Sequence, residues 1–217
     1  EYLGRVFRDL FLKPDKNVKE DEGLWSSDRG ARDFTRGICW FLMQDIWSGP
    51  RRYEGTPPSV QQEQNKQFVD KEGRKQTLFS TSIRWDAFAR WAQFTGLARK
   101  DTEGLIPDPT QAVADAVSEM TFEGNLPVRV FMDDLATRLP VIDGGSYWQD
   151  VNARMLIHDK DLSHQRVSPS LTHALRRLED RGQIRVRNEA DAPDKVSFSP
   201  AYRSERVELV SHIEVIS

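Results

Sequence analysis

The stretch Ser168-Pro169-Ser170-Leu171-Thr172-His173-Ala174-Leu175-Arg176-Arg177-Leu178-Glu179 decides the fold. Its apolar residues recur at i, i+3, i+4 and i+7, which is the spacing of one buried helix face: Leu171, Ala174, Leu175 and Leu178. Ser168 is a suitable N-cap, and Pro169 suits the first turn because proline lacks only a donor that has no helical partner there. The sequence therefore predicts a helix that begins at Ser168 and ends near Gly182.

Two short segments after this helix alternate apolar and polar residues, as half-buried strands do. They are Ile184-Arg185-Val186-Arg187 and Lys195-Val196-Ser197-Phe198, with a polar turn over 188–194. We expect these strands to pair as a hairpin, the wing. Helical spacing over 127–139 and 147–157 supplies two preceding helices. Three helices followed by a wing predict a winged-helix domain over residues 121–217.

Residues 1–120 repeat this plan less clearly. Helices are predicted over 2–12, 33–47 and 80–96, and the last is followed by a strand–turn–strand pattern over 97–106. A further helix over 111–120 joins the halves, and residues of about 50–76 are predicted to form a long loop. The predicted fold class is mainly α with small β-hairpins (α+β), built from tandem winged-helix-like units joined by a helix.

The composition excludes several classes of protein. The 217 residues are 38% hydrophobic and 30% charged, with a net charge of −3, which is typical of a soluble globular chain. No apolar run approaches the roughly 18 residues that span a bilayer. The single cysteine, Cys39, lies among large apolar residues, so we expect a buried thiol, no disulfide and a cytoplasmic protein. The chain does not begin with Met, so we expect residues before Glu1.

The helix that begins at Ser168 is the predicted DNA-recognition helix. The side opposite its apolar face is expected to present Ser170, Thr172, His173, Arg176 and Arg177, where Arg and hydroxyl side chains bind bases and phosphates. Arg185 and Arg187 of the wing are expected to hold phosphates. Residues 164–187 contain six Arg and two acids, a net charge of +4, although residues 125–217 carry 13 basic and 14 acidic residues. This local charge predicts contact with double-stranded DNA.

The sequence gives little support to an enzyme. It contains no phosphate-binding Gly-rich loop, dinucleotide motif or nucleophile elbow, so we expect no catalytic residues, no cofactor and no metal. Two weak metal candidates leave a metal nuclease as a minor alternative. One is the set of His158, Asp159, Asp161 and His164, and the other is the set of Asp70, Glu72 and Lys75.

Six phrases occur in an order that resembles the DpdG family of bacterial clusters that insert 7-deazaguanine derivatives into DNA and restrict unmodified DNA. They are Phe34-Thr35-Arg36-Gly37-Ile38-Cys39-Trp40-Phe41-Leu42, Arg84-Trp85-Asp86-Ala87-Phe88-Ala89-Arg90-Trp91-Ala92, Ile106-Pro107-Asp108-Pro109-Thr110, Leu139-Pro140-Val141-Ile142-Asp143-Gly144-Gly145, the quoted helix, and Val210-Ser211-His212-Ile213. The resemblance spans residues 34–213. It implies a further N-terminal winged helix, which this sequence lacks or has lost. It also implies an accessory role in clusters whose members include helicases, an ATPase and a nuclease, so the expected protein partner is an ATPase or a helicase.

Three functions follow as hypotheses. The first is a non-catalytic DNA-binding or assembly subunit of a DNA-modification-based restriction system for phage defence, which acts on double-stranded DNA within a multi-subunit complex. The second is a tandem winged-helix interaction subunit of a chromosome-organising or defence ATPase complex, for which we expect an exposed apolar groove. The third is a winged-helix transcription regulator.

Overall fold

The computed structural model describes residues 3–12, 24, 31–55, 57–68, 77–121, 124–156, 165–199 and 207–216. These residues form eight helices and eight short strands, which confirms the mainly α, α+β class. In chain order the elements are α1 (Leu3–Leu12), α2 (Arg32–Leu42), α3 (Val60–Gln67), α4 (Ser82–Phe94), β1 (Ala98–Lys100), β2 (Leu105–Pro107), α5 (Thr110–Val117), β3 (Asn125–Pro127), α6 (Val128–Arg138), α7 (Ser146–Asn152), β4 (Arg166–Val167), α8 (Pro169–Asp180), β5 (Ile184–Arg187), β6 (Val196–Phe198), β7 (Glu208–Val210) and β8 (His212–Val215).

The helix and hairpin at the end of the first half form as predicted. The Thr81 hydroxyl caps α4 by accepting the N–H of Arg84, at 3.3 Å. Gly96 follows the helix with φ +73°, a left-handed conformation that glycine adopts without a steric penalty. β1 then pairs antiparallel with β2. The tandem winged-helix arrangement as a whole stays a prediction.

The expected loop over 50–76 contains a helix, so that prediction was wrong for α3. Gln64 of this helix is fully buried. Its Oε1 accepts the backbone N–H groups of Leu78 at 3.0 Å and Phe79 at 2.9 Å, and its Nε2 donates to the Phe79 carbonyl at 2.8 Å. The helix was missed because its buried side is held by an amide, which leaves no apolar period in the sequence.

Two predicted helices end five residues earlier than their apolar spacing indicated. α2 ends at Leu42 and not at residue 47, because the Asp45 carboxylate accepts the N–H groups of Trp47 at 2.8 Å and Ser48 at 2.6 Å and so forms a turn. α7 ends at Asn152 and not at residue 157. At α2, a polar side chain therefore ends a helix that the apolar pattern would continue.

The predicted wing hairpin between β5 and β6 does not form. β5 pairs antiparallel with β8, and β6 pairs antiparallel with β7 and parallel with β4. The segment 208–215 therefore pairs with β6 along its first part and with β5 along its last part. Residues 188–195, which connect β5 to β6, form no strand pairs with this segment. Ser211 holds this junction, because its N–H donates to the Arg187 carbonyl at 2.9 Å and its carbonyl accepts the N–H of Val128 at 2.8 Å.

The two halves share one apolar core in the described residues. α5 packs against α8, and α2 packs against α7, so that buried residues from both halves form a continuous cluster. Cys39 lies inside this cluster, and burial raises the pKa of its thiol, as expected for an inert cysteine. In the part of the chain that the structure describes, every helix is too short or too polar to cross a membrane.

Candidate nucleic-acid interface

The first turn of α8 is anchored by a buried network. The Ser168 hydroxyl caps the helix by accepting the N–H of Leu171 at 3.3 Å, which confirms the predicted cap. The backbone N–H of Ser168 donates to Asp143 Oδ2 at 2.5 Å. Burial raises the pKa of Asp143 to about 6, although the Ser168 hydrogen bonds favour the carboxylate. This network fixes the direction in which α8 leaves the core.

Ser170 and Thr172 do not lie on an exposed face, so their predicted placement was wrong. The Ser170 hydroxyl donates to the Leu42 carbonyl at 2.5 Å, and Thr172 Oγ1 accepts the N–H of Ser199 at 3.2 Å. Both side chains are buried. The first turn of α8 is covered on two sides, by the end of α2 and by the chain after β6, which helical spacing alone does not reveal.

We call the side of α8 opposite its apolar face, together with Arg185 and Arg187 of β5, the predicted DNA face. His173 of this face is half-buried. Its ring makes an edge contact with Trp47, with 6.3 Å between the ring centroids. Burial lowers the pKa of His173, and the positive charges of Arg177 and Arg99 lower it further against the opposing effect of Asp108. Burial is therefore the main reason that the pKa of His173 lies below its usual value.

Arg176 is held by three neighbours. Its Nη1 donates to Glu179 at 2.5 Å, its Nη2 pairs with Glu208, and its guanidinium lies 5.3 Å from the centroid of the Phe198 ring. Burial lowers the pKa of Arg176, but the hydrogen bonds that it donates to Glu208 and Glu179 raise that pKa above its usual value. Both terminal nitrogens of this side chain are thus engaged within the protein.

Arg177 connects α8 to the first half of the chain. Its Nη1 donates to Asp108 Oδ2 at 2.6 Å, and Nε of Arg99 approaches the same oxygen at 3.3 Å. Burial raises the pKa of Asp108, but hydrogen bonds from Thr110 and the charge of Arg177 outweigh burial, so the pKa lies below its usual value. Asp108 therefore remains ionised between two arginines.

Arg185 and Arg187 project from the same side of β5, as the alternating pattern predicts. Both pair with Glu214 of β8, through Nη1 of Arg185 at 3.2 Å and Nη2 of Arg187 at 2.7 Å. The hydrogen bond from Arg187 is the main cause that lowers the pKa of Glu214. About half of each arginine side chain is exposed, so these guanidiniums are accessible to a ligand.

The charge of the predicted DNA face is smaller than the sequence indicated. Asp108, Glu208 and Glu214 bring three negative charges to the net charge of +4 over residues 164–187, and Arg99 beside Asp108 adds one positive charge, so these residues together carry +2. Each of these acids lies at least 27 residues from the α8 or β5 arginine that it pairs with. No local spacing could have revealed them, because only the tertiary fold brings them together.

A concave site missed by sequence reasoning lies where α8 meets the first half. We call it the arginine cleft. Its volume is about 560 Å³, and it includes Gln93, Arg99, Asp108, Gln111, Arg177 and Arg181. Arg181 is exposed and has no acidic partner among the described residues. The three arginines and one carboxylate give the cleft a net charge of +2.

On α4, the side chains of Arg84, Asp86, Arg90 and Gln93 are exposed. In the described residues, no group of three or more His, Cys, Asp or Glu could hold a metal ion. The candidate set His158, Asp159, Asp161 and His164 lies outside the described residues, as does the set Asp70, Glu72 and Lys75.

Comparisons with known proteins give one result. A family model described as DpdG-like matches residues 1–192 of the chain. No curated protein and no solved structure matches it. The match covers most of the chain and includes five of the six phrases quoted above in full, among them the helix that begins at Ser168. It indicates involvement in a 7-deazaguanine DNA-modification system, and the chain belongs to the DpdG-like family.

Proposed function

We propose that this chain is a non-catalytic DNA-binding subunit of a DNA-modification-based restriction system, which acts in the cytoplasm against phage DNA. The observation that carries the proposal is the exposed arginine pair of β5. Arg185 and Arg187 each commit one terminal nitrogen to Glu214, so most of their N–H donors remain available. Two adjacent guanidiniums on one face of a strand suit contact with consecutive phosphates of a duplex.

The roles of the α8 residues within this proposal differ. Arg177 uses one terminal nitrogen on Asp108 and keeps its other donors, whereas Arg176 is engaged at both terminal nitrogens. Arg177 and the half-buried His173 are therefore the α8 side chains best placed to reach DNA. Ser170 and Thr172 support the helix from the core side.

The test is duplex binding by the double variant Arg185→Gln with Arg187→Gln. Removal of two phosphate contacts lowers the slope of log affinity against log salt by about 2, because each contact releases roughly one counterion. The matched control is Arg84→Gln, an exposed arginine on α4. Gel-shift titrations over a salt series measure both quantities. Equal affinities and slopes for the wild type and the double variant would refute this interface.

A second candidate function, a protein-interaction subunit of an ATPase complex, is favoured by a separate observation. The exposed side of α1 carries Leu3, Val6 and Leu10, and the neighbouring side of α4 carries Trp91 and Phe94. A groove of about 540 Å³ lies between these helices. Contiguous exposed apolar surface is typical of a protein interface.

Affinity purification of the whole protein from its native host tests this second candidate. The double variant Val6→Ser with Leu10→Ser is expected to lose a co-purifying ATPase or helicase that the wild type retains. Val130→Ser, on the exposed side of α6, is the matched control. Retention of the same partner by both variants would exclude the exposed apolar side of α1 as its binding surface.

A further inference from the structure

The arginine cleft holds more positive charge than the protein neutralises. Arg99 and Arg177 share one oxygen of Asp108, and Arg181 has no acid partner among the described residues. Like charges that converge in a concave space repel one another, and low-dielectric walls strengthen this repulsion. A ligand that brings negative charge into the cleft would relieve it.

The free hydrogen-bond donors identify the class of that ligand. Arg99 uses only Nε on Asp108, and Arg177 uses only Nη1. The remaining terminal nitrogens of both side chains and the whole guanidinium of Arg181 can donate to the ligand. Guanidinium groups match the oxygens of phosphate in bidentate geometry, and several of them together are typical of a phosphate site.

The shape and the remaining walls indicate room for more than an isolated ion. The volume of about 560 Å³ lies within the range of small-molecule sites. Gln93 and Gln111 stand on the α4 and α5 sides of the cleft. Gln93 donates through Nε2 to the Ala89 carbonyl, and its Oε1 remains available as an acceptor. Gln111 donates through Nε2 to Asp115 Oδ1, at 2.9 Å. The amide oxygens of both glutamines can therefore accept hydrogen bonds from the sugar or base of a nucleotide.

We propose that the arginine cleft binds a phosphate group, supplied either by a free nucleotide or by the backbone of DNA. Arg181 and Arg99 hold the phosphate from opposite sides, and Asp108 keeps Arg177 in place. The DNA source rests on the proposed function, whereas the free-nucleotide source does not. Because Arg99 belongs to the first half and Arg181 follows α8, a bound phosphate would link the two halves of the chain.

The experiment titrates the full chain with inorganic pyrophosphate, with dATP and with a short DNA duplex, each by calorimetry at low salt. Arg181→Gln is the main variant, because the Arg181 side chain forms no ion pair among the described residues, and Arg99→Gln is the second. Arg84→Gln at the opposite end of α4 is the matched control. We expect pyrophosphate affinity to fall about tenfold in Arg181→Gln, the effect of one charged hydrogen bond, and to stay unchanged in the control.

The responses to the three ligands distinguish the two possible sources of the phosphate, a free nucleotide and the DNA backbone. Loss of pyrophosphate and dATP binding with unchanged duplex binding indicates a free nucleotide. Loss of duplex binding, with or without loss of pyrophosphate binding, indicates the DNA backbone. If no ligand depends on Arg181 or Arg99, the proposal is overturned. A chain that binds pyrophosphate through Arg181 but binds no duplex supports the cleft and refutes the proposed DNA-binding function.

Discussion

At the scale of single residues, polar side chains buried in the core determine where the elements lie. Gln64 satisfies three backbone groups of residues 78 and 79. Asp143 and Ser170 hold the first turn of α8. Buried polar groups of this kind cost free energy unless they are paired, so each one specifies a particular arrangement of the chain.

Asp143 gives the protein a pH-dependent stability. Its pKa in the folded protein, about 6, lies above the ordinary value of 3.8 because the carboxyl is buried. The folded state therefore binds this proton more tightly than the unfolded state. The stabilisation from protonated Asp143 is fully present below 3.8, the pKa of this carboxyl in the unfolded chain, and it is lost as the pH rises through about 6.

The variant Asp143→Asn keeps an acceptor for Ser168 and cannot titrate. Between about pH 4 and pH 7, we expect the free energy of unfolding of the wild type to fall by roughly 3 kcal/mol relative to that of Asp143→Asn. Urea unfolding at a series of pH values measures this difference, with Asp133→Asn on the exposed side of α6 as the control. A difference that stays constant with pH would contradict the assignment.

At the scale of elements, local sequence chemistry predicted those structures that form from neighbouring residues. The Ser168 cap, the glycine ends after α4 and α8, and the β1–β2 hairpin follow from such chemistry and are present. The predicted pairing of β5 with β6 was wrong, because both strands pair with the segment 208–215. The alternation of residues gave no reason to prefer this segment to the neighbouring strand. Strand pairing depends on the whole fold, and local alternation of residues does not determine it.

β8 is the central strand of its sheet, between β3 and β5. Ile213 of this strand lies opposite Leu126 and Val186 and is fully buried. We expect Ile213→Ala to lower the free energy of unfolding by about 2–5 kcal/mol, the usual cost of a large cavity in a core. Urea unfolding measures this loss.

Ile216→Ala is the matched control, because Ile216 is in the same terminal segment and is 38% exposed. Its expected loss is below about 1 kcal/mol. Comparable losses for the two variants would show that β8 is not a central part of the core.

At the scale of the whole molecule, the candidate site depends on contacts between the halves. The arginines of the second half were evident in the sequence, but their acids and the arginine cleft were not. Arg177 and Asp108 are separated by 69 residues. The net charge of a folded surface therefore differs from the net charge of the sequence segment that supplies most of its residues.

Asp108→Asn tests this connection, because the carboxylate both joins the halves and neutralises part of the cleft. The substitution raises the net charge of the cleft from +2 to +3. We expect pyrophosphate to bind severalfold more tightly. The free energy of unfolding should fall by about 1–2 kcal/mol, a value reduced from that of a fully buried pair because Arg177 is partly exposed.

Calorimetric titration and urea unfolding of the same samples measure the two effects, with Asp86→Asn on the exposed side of α4 as the control. The opposite direction of the two changes is the decisive result. If affinity and stability fall together, Asp108 acts mainly by positioning Arg99 and Arg177 and does not limit the charge available to a ligand. If neither changes, the two halves are held by their shared apolar core alone, and the ion pair contributes little to either stability or binding.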